Sequence, residues 1–563
     1  MPSRTIAPLV CLTGALTLAC FAARAHADDA DMRLSIATRL IPSFTRAEER
    51  TANAQILRPP LLPDAQAIGN PMSGFFADNL LLRQSEFGAP LATQTFERFE
   101  NIYWSCLENR GAFDFSIIDK VLASLPAGVR FAFRVKAFDP SQVGAKLCNL
   151  PNVVPDDLET SQHGFRLPFD PSALMQGSYF VPDWNDPVVL QRIRLLLSAL
   201  GQRYDGDPRL AWVDIGLYGS WGEWHTKALP HYARGIPYDP TDPGFNFNTR
   251  HLQPGTPANK ESIVDAHVDA FPTTQLVMLT DDGDALCHAL RKEPQSHIGL
   301  QRDSLGSGST SWTFQFPDRL PGCDSPDDVA LILNRWQVAP FVTQPIGGQF
   351  PLTFSICTNG AAQEFCIDQE ATQFHIANVE NSQLGFNADG SRITWTELPP
   401  DHQQAFLFAG NRAGYRFAPE ILEIREQSQP MVSRAYRLHR YTLSVRTSWI
   451  NTGITPAYNR WRVEFSLWKA GEEGSKHQHA GFTGPSQIDL QTVLPTREAP
   501  LVFRDVFALP RELAPGAYEL RIKVVDPDFY LGPMHLALQG ETPDGSYALG
   551  RVFLFGAGIE DRD

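Results

Sequence analysis

The stretch from Asp214 to His225 holds the densest group of side chains suited to chemistry. It reads DIGLYGSWGEWH, so Glu223 stands between two tryptophans and is followed closely by a histidine. An aromatic, partly apolar setting desolvates a carboxyl group and raises its pKa, which suits Glu223 to general acid catalysis. Tyr218, Trp221 and His225 then suit contacts with a sugar ring. The alternative is a glycine-rich turn with packed tryptophans and an exposed glutamate.

Hydrolysis of a glycosidic bond needs a second carboxyl group as base or nucleophile. Asp282 and Asp303 follow the fifth and sixth predicted strands and are the candidates, although an Asp in that place also often caps the next helix. Arg134 either clamps the substrate or pairs with these acids. The residues predicted to contact substrate are Arg134, Tyr218, Trp221, His225, Arg302, Gln344 and Asn378.

Short apolar runs alternate with helical segments between residues 67 and 400, which predicts an α/β fold. The eight candidate strands are Gly74–Phe76, Asn101–Cys106, Val129–Ala137, Leu210–Gly216, Gln275–Thr280, His297–Gln301, Pro340–Thr343 and Gln373–Ala377. Such a series favours a (β/α)₈ TIM barrel, whose chemistry lies at the C-terminal ends of its strands. The alternative, an open doubly wound sheet, lacks a Gly-x-Gly-x-x-Gly after its first strand.

Two helices have clear boundaries in the sequence. Ser116 and Asp119 resemble a capping box that opens a helix reaching about Leu125. Asp186 caps a second helix before a first-turn proline, and Gly201 closes it.

Residues 401–563 have a different pattern. Apolar and polar residues alternate along Tyr441–Thr447, Trp461–Leu467 and Tyr518–Val524, with turn signals between them. Half-buried antiparallel strands have this period, so we expect a C-terminal β-sandwich.

The net charge, the N-terminal segment and the cysteines indicate where the protein acts and which partners it excludes. The 563 residues carry a net charge of −15, which argues against a nucleic-acid partner. Residues 1–27 resemble a cleaved signal peptide, and residues 28–66 form a polar lead-in. We therefore expect a secreted or periplasmic protein without a membrane span, a lipoprotein anchored at Cys20 being the alternative. Six cysteines follow the signal, and neighbour order suggests the pairs 106–148, 287–323 and 357–366.

Two groups of motifs resemble known families. The run from Trp104 to Asp119 resembles the W-x-x-L-E-x-x-x-G-x-F-D-F-x-x-I-D stretch of clan A glycoside hydrolase barrels, in which the residue matching Glu108 is structural. The runs WNDP at 184–187, RYDGDP at 203–208 and GSWGEWH at 219–225 are similar to a bacterial family of exported barrel proteins. That family has a C-terminal domain of unknown function, and its members are often named β-galactosidases or glycosidases.

The resemblance to clan A implies a retaining mechanism with an acid/base Glu after strand four and a nucleophilic Glu after strand seven. Glu223 fits the first position, although Gly222 replaces the usual Asn. Gln344 stands at the second, and an amide is no anionic nucleophile. Three possibilities follow: an inverting hydrolase using Asp303 or Asp282, a site with another carboxylate, or a glycan-binding pseudoenzyme.

The leading hypothesis is an exported hydrolase of an oligo- or polysaccharide, with Glu223 as general acid/base. A non-catalytic glycan-binding or scaffold protein is the alternative. No cofactor is predicted: His231 and His251 lack the spacing of a metal site. The sugar and the oligomeric state stay open.

Overall fold

A computed structural model describes most of the chain from residue 54 to residue 555. The described residues are 54–64, 66–78, 90–139, 148, 152–167, 179–226, 254–292, 297–302, 305–306, 322–323, 325–327, 346–348, 366–381, 384, 393–432, 437–469 and 480–555. The predicted signal peptide lies outside them.

The described residues contain twenty strands. In chain order they are β1 (Ala54–Leu57), β2 (Gly74–Asp78), β3 (Glu97–Tyr103), β4 (Glu108–Asn109), β5 (Ala112–Phe113), β6 (Arg130–Lys136), β7 (Gly164–Leu167), β8 (Tyr179–Pro182), β9 (Leu210–Asp214), β10 (Leu276–Leu279), β11 (Ile298–Arg302), β12 (Ile346–Gly348), β13 (Asn378–Glu380), β14 (Phe417–Val432), β15 (Arg437–Asn451), β16 (Arg462–Lys469), β17 (Phe482–Pro485), β18 (Thr496–Ala508), β19 (Gly516–Val525) and β20 (Tyr547–Leu554). Short 3₁₀ helices occupy Trp104–Cys106, Trp395–Glu397 and Leu490–Thr492.

Six α-helices accompany them within the described residues. They are α1 (Ser116–Ser124), α2 (Pro187–Tyr204), α3 (Pro257–Ala270), α4 (Gly283–Lys292), α5 (Ile367–Gln373) and α6 (Pro400–Arg412).

Eight strands close into a parallel barrel in the order β2-β3-β6-β9-β10-β11-β12-β13. Each pairs in parallel with its neighbour, and β13 returns to β2. The prediction of a TIM-like α/β barrel is confirmed. Its lower interior is filled by apolar side chains, among them Phe76, Phe99 and Trp212, so the barrel is a packed core.

The last two barrel strands differ from the prediction. The seventh strand of the barrel is β12, whereas the predicted segment Pro340–Thr343 lies outside the described residues. The eighth was predicted at Gln373–Ala377, which is wrong because Gln373 ends α5 and the strand begins at Asn378. Both strands have only three residues, too few for a clear periodic pattern.

The two predicted helices form, but their ends differ in detail. Asp186 accepts a hydrogen bond from the Val188 amide at 2.6 Å, which confirms the cap of α2. The capping box of α1 is absent, because Asp119 instead binds Arg203 and the Tyr204 hydroxyl.

Gly201 lies inside α2 instead of closing it, since the helix continues to Tyr204. A Cβ atom at Gly201 would lie 2.0 Å from the carbonyl oxygen of Ala270, at the end of α3. The glycine therefore lets the two helices approach closely.

We predict that Gly201→Ala lowers the free energy of unfolding by about 1–2 kcal/mol, because overpacking outweighs the gain in helix propensity. Urea denaturation measures this change. Arg194→Ala, at an exposed position of the same helix, is the control and should leave stability nearly unchanged. Equal stability of the two variants would contradict the close packing.

Two four-stranded antiparallel sheets account for most of the remaining strands. Their orders are β1-β14-β15-β18 and β17-β16-β19-β20, and their inward side chains share one core. Phe465 of β16 and Phe507 of β18 pack across it, 5.9 Å apart. The prediction of further β-structure after the barrel is confirmed. The segment predicted as a lead-in contributes β1, which pairs with β14.

These sheets contact the barrel at the N-terminal ends of its strands. Asn70, just before β2, exchanges two 2.9 Å hydrogen bonds with the backbone of His535. The Tyr530 hydroxyl donates to the carbonyl of Val129, just before β6, at 2.6 Å. Because TIM-barrel chemistry occupies the opposite face, this contact braces the barrel and leaves the C-terminal face clear of these residues.

Disulfide bonds join Cys106 to Cys148 and Cys287 to Cys323, as neighbour order suggested. Cys366 is also disulfide-bonded, whereas Cys357 lies outside the described residues. No helix among the described residues is long and apolar enough to cross a membrane.

Candidate active site

The loop after β9 carries Glu223 on the C-terminal face of the barrel. Its backbone closes on itself: the Ser220 amide donates to the His225 carbonyl at 2.8 Å, and the Glu223 amide to the Ser220 carbonyl at 2.9 Å. Leu217, Trp221 and Trp224 have φ values of 65°, 57° and 66°. Such angles are strained for bulky residues, and strain of this kind clusters at functional sites.

Buried aromatic side chains hold this strained loop in place. The indole N–H of Trp224 donates to the Ile215 carbonyl at 2.6 Å, and that of Trp184 donates to the Leu217 carbonyl at 2.8 Å. The Tyr218 ring packs against both indoles, with centroids 4.8 and 4.7 Å away. Tyr218 is fully buried and accepts from the Gly255 amide, so it supports the loop and is not an exposed sugar contact.

His267 fixes the base of the loop. Its Nδ1–H donates to the Ile263 carbonyl at 2.8 Å, which leaves Nε2 to accept from the Gly216 amide at 3.3 Å. Burial lowers the pKa of His267 to about 4, so the imidazole stays neutral and keeps this acceptor at ordinary pH.

Arg134 lies beneath Glu223 and joins three strands. The alternation along β6 points Arg134 into the barrel, where its guanidinium stands 5.4 Å from the centre of the Phe99 ring. Its Nε donates to Asp214 at 2.9 Å, Nη2 donates to Gln301 at 2.8 Å, and Nη1 donates to Glu223. Arg134 is fully buried, so it pairs with acids, which was the alternative to a substrate clamp.

The two carboxyl partners of Arg134, Glu223 and Asp214, have different pKa values. Burial acts to raise the pKa of Glu223, but Arg134 and then His225 outweigh it and lower the pKa to about 2. The raised pKa expected from the aromatic surroundings is therefore wrong. Burial raises the pKa of Asp214 to about 6 against the opposing effect of Arg134. Glu223 is thus an anion in the resting site.

His225 links Glu223 to a second carboxyl group, that of Asp281. The imidazole Nε2 lies 3.5 Å from Glu223 Oε2 and 3.7 Å from Asp281 Oδ2. Because both oxygens are this close to one nitrogen, they are no more than about 7 Å apart, so the two carboxyl groups lie on the same side of the barrel mouth and close to each other. All three side chains are partly exposed, at 18% for Glu223, 23% for Asp281 and 28% for His225, although the Oδ2 atom of Asp281 is itself buried.

Asp282 caps a helix, which was the alternative to a catalytic role in the sequence analysis. Its Oδ1 accepts from the Ala285 amide at 3.2 Å in the first turn of α4, and its Oδ2 pairs with Lys260 at 2.7 Å. The residue is buried. This pairing directs the Asp282 carboxylate to α3 and α4, whereas Asp281 faces His225.

The other predicted contacts fall in different places. Trp221 is partly exposed, and its ring meets the His225 ring edge-on at 6.1 Å. Asn378 is the first residue of β13 and does not follow the eighth strand; it is buried beside Gln301 at a cavity of about 10 Å³. Asp303, Gln344 and the side chain of Arg302 lie outside the described residues.

The expected nucleophile position shifts with the seventh strand. Gln344 precedes β12 in the chain, and the sequence after that strand reads Gln349-Phe350-Pro351. An amide follows β12 in place of a carboxylate. Among the described residues, the second carboxyl near Glu223 comes from the end of the fifth barrel strand instead.

Sequence reasoning considered Asp281 and Asp282 after the fifth strand and chose Asp282, and it assigned no role to Asp214 or Gln301. Asp214 and Gln301 sit on inward positions of β9 and β11, where a polar residue inside an otherwise apolar strand was the available signal. Asp281 and Asp282 are adjacent, and only the direction of the chain after β10 separates their roles. No group of three or more His, Cys, Asp or Glu side chains suited to a metal ion occurs in the described part of the chain.

Solved structures that resemble this chain include three carbohydrate-active enzymes of low sequence identity. Endo-glycoceramidase II from Rhodococcus sp. is 12% identical over 80% of this chain and 99% of its own, with a TM-score of 0.33. The cold-adapted β-galactosidase from Rahnella sp. R3 is 13% identical over 57% of this chain and 53% of its own, with a TM-score of 0.29. A psychrophilic family 10 endo-β-1,4-xylanase is 12% identical over 62% and 98%, also at 0.29.

No family model matches the chain, and no curated protein matches it. The low identities and TM-scores of the solved structures assign no activity to this chain.

Proposed function

We propose that this protein is a carbohydrate-active enzyme that hydrolyses glycosidic bonds in an oligo- or polysaccharide. The observation that carries the proposal is the pair of partly exposed carboxyl groups, Glu223 and Asp281, on either side of His225 Nε2. Glycosidic hydrolysis uses a pair of carboxyl groups that flank the scissile bond. The pair lies at the ends of barrel strands, the usual place for chemistry in this fold.

The two carboxyl groups take different roles. Glu223 is held as an anion by Arg134, so it serves as the base or nucleophile, not as the general acid that its sequence setting suggested. Asp281 comes from the end of β10 and faces the imidazole of His225, so we assign it as the general acid. Trp221 offers a partly exposed aromatic face beside the pair for stacking on the sugar.

A second candidate function is glycan binding without turnover. The ion pair between Arg134 and Glu223 favours it, because a carboxylate held by a buried guanidinium is a weak nucleophile and a weak base. The absence of a carboxylate directly after β12 in the sequence has the same implication. Calorimetric titration with glycans beside a reducing-end assay separates the two: binding without product supports the second candidate.

We predict that Asp281→Asn lowers kcat/KM by at least about 100-fold, the usual loss for a general acid. The matched control is Asp282→Asn, which keeps a good helix cap and should stay within a few-fold of the parent. Release of reducing ends measures both. If Asp282→Asn loses activity and Asp281→Asn retains it, Asp281 is not the acid.

The remaining proposals concern location and domains. The two described disulfides support action in an oxidising compartment, in keeping with the proposed signal peptide at residues 1–27. We also propose that the catalytic unit extends beyond the expected limit of 400 to about residue 413, because Phe406 and Ala409 of α6 pack in the barrel core, and that the strands from Phe417 onward form a β-sandwich bracing it. The contacts of Asn70 and Val129 with the antiparallel part support the bracing role.

A further inference from the structure

We propose that His225 is a positioning residue that holds the catalytic proton for Asp281, whose Oδ2 stands 3.7 Å from Nε2 in the resting site. This deepens the proposed hydrolase function and rests on it. His225 would act through Asp281, which alone passes the proton to the departing oxygen.

The geometry of the cluster carries this inference. Nε2 of His225 faces Glu223 at 3.5 Å on its own loop and Asp281 at 3.7 Å from the end of β10. The His225 backbone is fixed by the hydrogen bond from Ser220, and its ring rests edge-on against Trp221. Nε2 of His225 therefore lies near two carboxylates, which follow the barrel strands β9 and β10.

The charges around the cluster decide where the proton resides. Arg134 donates to Glu223 from below, and the buried Lys136 also stabilises the Glu223 anion electrostatically. Glu223 thus keeps no proton, and a proton entering the cluster is shared by His225 and Asp281. Two carboxylates around one imidazole favour its protonated form, because opposite charges stabilise each other at this distance.

The proton passes from His225 to the departing oxygen through Asp281. When substrate binding shortens the 3.7 Å contact to hydrogen-bond distance, the Nε2–H proton of His225 moves to the Asp281 carboxylate, which leaves a neutral imidazole and a protonated carboxyl. As the glycosidic C–O bond breaks, its electron pair passes to the departing oxygen, which takes the proton from Asp281. Water completes the hydrolysis by adding its hydroxyl to the sugar and giving its proton to Glu223, which releases it to solvent, and His225 regains one proton from solvent, so no net proton is gained or lost.

The first experiment follows His225 directly by NMR in protein labelled with ¹³C at the histidine Cε1. The signal is assigned by its loss in His225→Asn. We expect His225 to titrate above its ordinary value of about 6.5, and Asp281→Asn to shift that midpoint down by at least about one pH unit. If the titration midpoint of His225 is the same in Asp281→Asn as in the parent protein, the two residues do not share a proton. This conclusion holds whether or not the protein hydrolyses any glycoside.

The second experiment uses leaving groups. General acid assistance matters for a poor leaving group and little for an activated one, so His225→Asn should lose at least about 10-fold in kcat/KM at pH 7 on an oligosaccharide. It should stay within a few-fold on a dinitrophenyl glycoside of the same sugar. The alkaline limb of its pH profile should move toward acid, because Asp281 then titrates without its partner.

A control separates this role from a merely structural one. His402→Asn removes another imidazole beside an aspartate, 3.1 Å from Asp401 on the surface of α6, and should change neither substrate's rate. Equal losses on both substrates with an unshifted pH profile in His225→Asn would contradict proton holding. Absence of hydrolysis by the parent protein would instead contradict the proposed function, and the NMR titration would still decide the proton's location.

Discussion

Glu223→Gln should abolish hydrolysis, with kcat reduced by at least about 1000-fold on any glycan that the parent protein cleaves. The amide has the size of the carboxylate and still accepts from Arg134, but it is neither an anionic nucleophile nor a base. Reducing-end release under substrate saturation measures the loss. Calorimetric titration should show that the variant binds the same glycan.

The control for this variant is Glu261→Gln, a partly exposed glutamate of α3 outside the cluster. It should retain the parent's rate. Retention of more than about one tenth of the activity by Glu223→Gln would remove Glu223 from the mechanism, since catalysis by an essential carboxylate does not survive its neutralisation at that level.

Arg134→Met should produce the largest loss of stability, about 3–5 kcal/mol in the free energy of unfolding. The substitution leaves the fully buried Asp214 and the partly buried Glu223 without their shared cation. Denaturation by urea near pH 8 measures the effect. Adding Asp214→Asn should recover part of the loss, because one uncompensated charge disappears.

The pH dependence of this loss follows from Asp214. Its pKa in the folded protein, about 6, is above its ordinary value, so proton binding to Asp214 stabilises the folded protein at low pH. This stabilisation is lost as the pH rises through 6. Removing Arg134 strengthens this trend. The deficit of Arg134→Met should therefore be smaller at pH 5 than at pH 8. A deficit below about 1 kcal/mol at both pH values would contradict a central role for the cation.

The sequence predicts the barrel well where strands are long and their flanks distinct. In Arg130–Lys136 the large apolar residues recur at every second position, which marks the strand in the sequence, and the structure buries all seven residues. The three-residue strands β12 and β13 carry too few side chains for that signal, so the eighth was misplaced onto a helix end. Gly201 was taken for a helix stop because its role depends on Ala270, far along the chain.

The site was predicted only in part, for a related reason. Glu223 and His225 stand in a distinctive local motif, so they can be singled out from the sequence. Whether Arg134 binds substrate or acids depends on β6 and β9 being neighbours, which places Arg134 beside Asp214. The choice between Asp281 and Asp282 depends on Lys260 of α3, which forms an ion pair with Asp282 and so holds that carboxylate away from His225. The pKa of Glu223 depends on such long-range contacts, and it is lowered by Arg134, whereas the neighbouring residues in the sequence predicted a raised pKa.

The most direct measurement is a reducing-end assay of the purified parent protein, Glu223→Gln and Asp281→Asn on a panel of neutral oligo- and polysaccharides. Proton NMR of the anomeric signals in the same samples reports the configuration of the product. The account predicts that the parent releases reducing ends from at least one glycan and that both variants release almost none. Glycan binding by the parent without any product, or unchanged release by the variants, would contradict it.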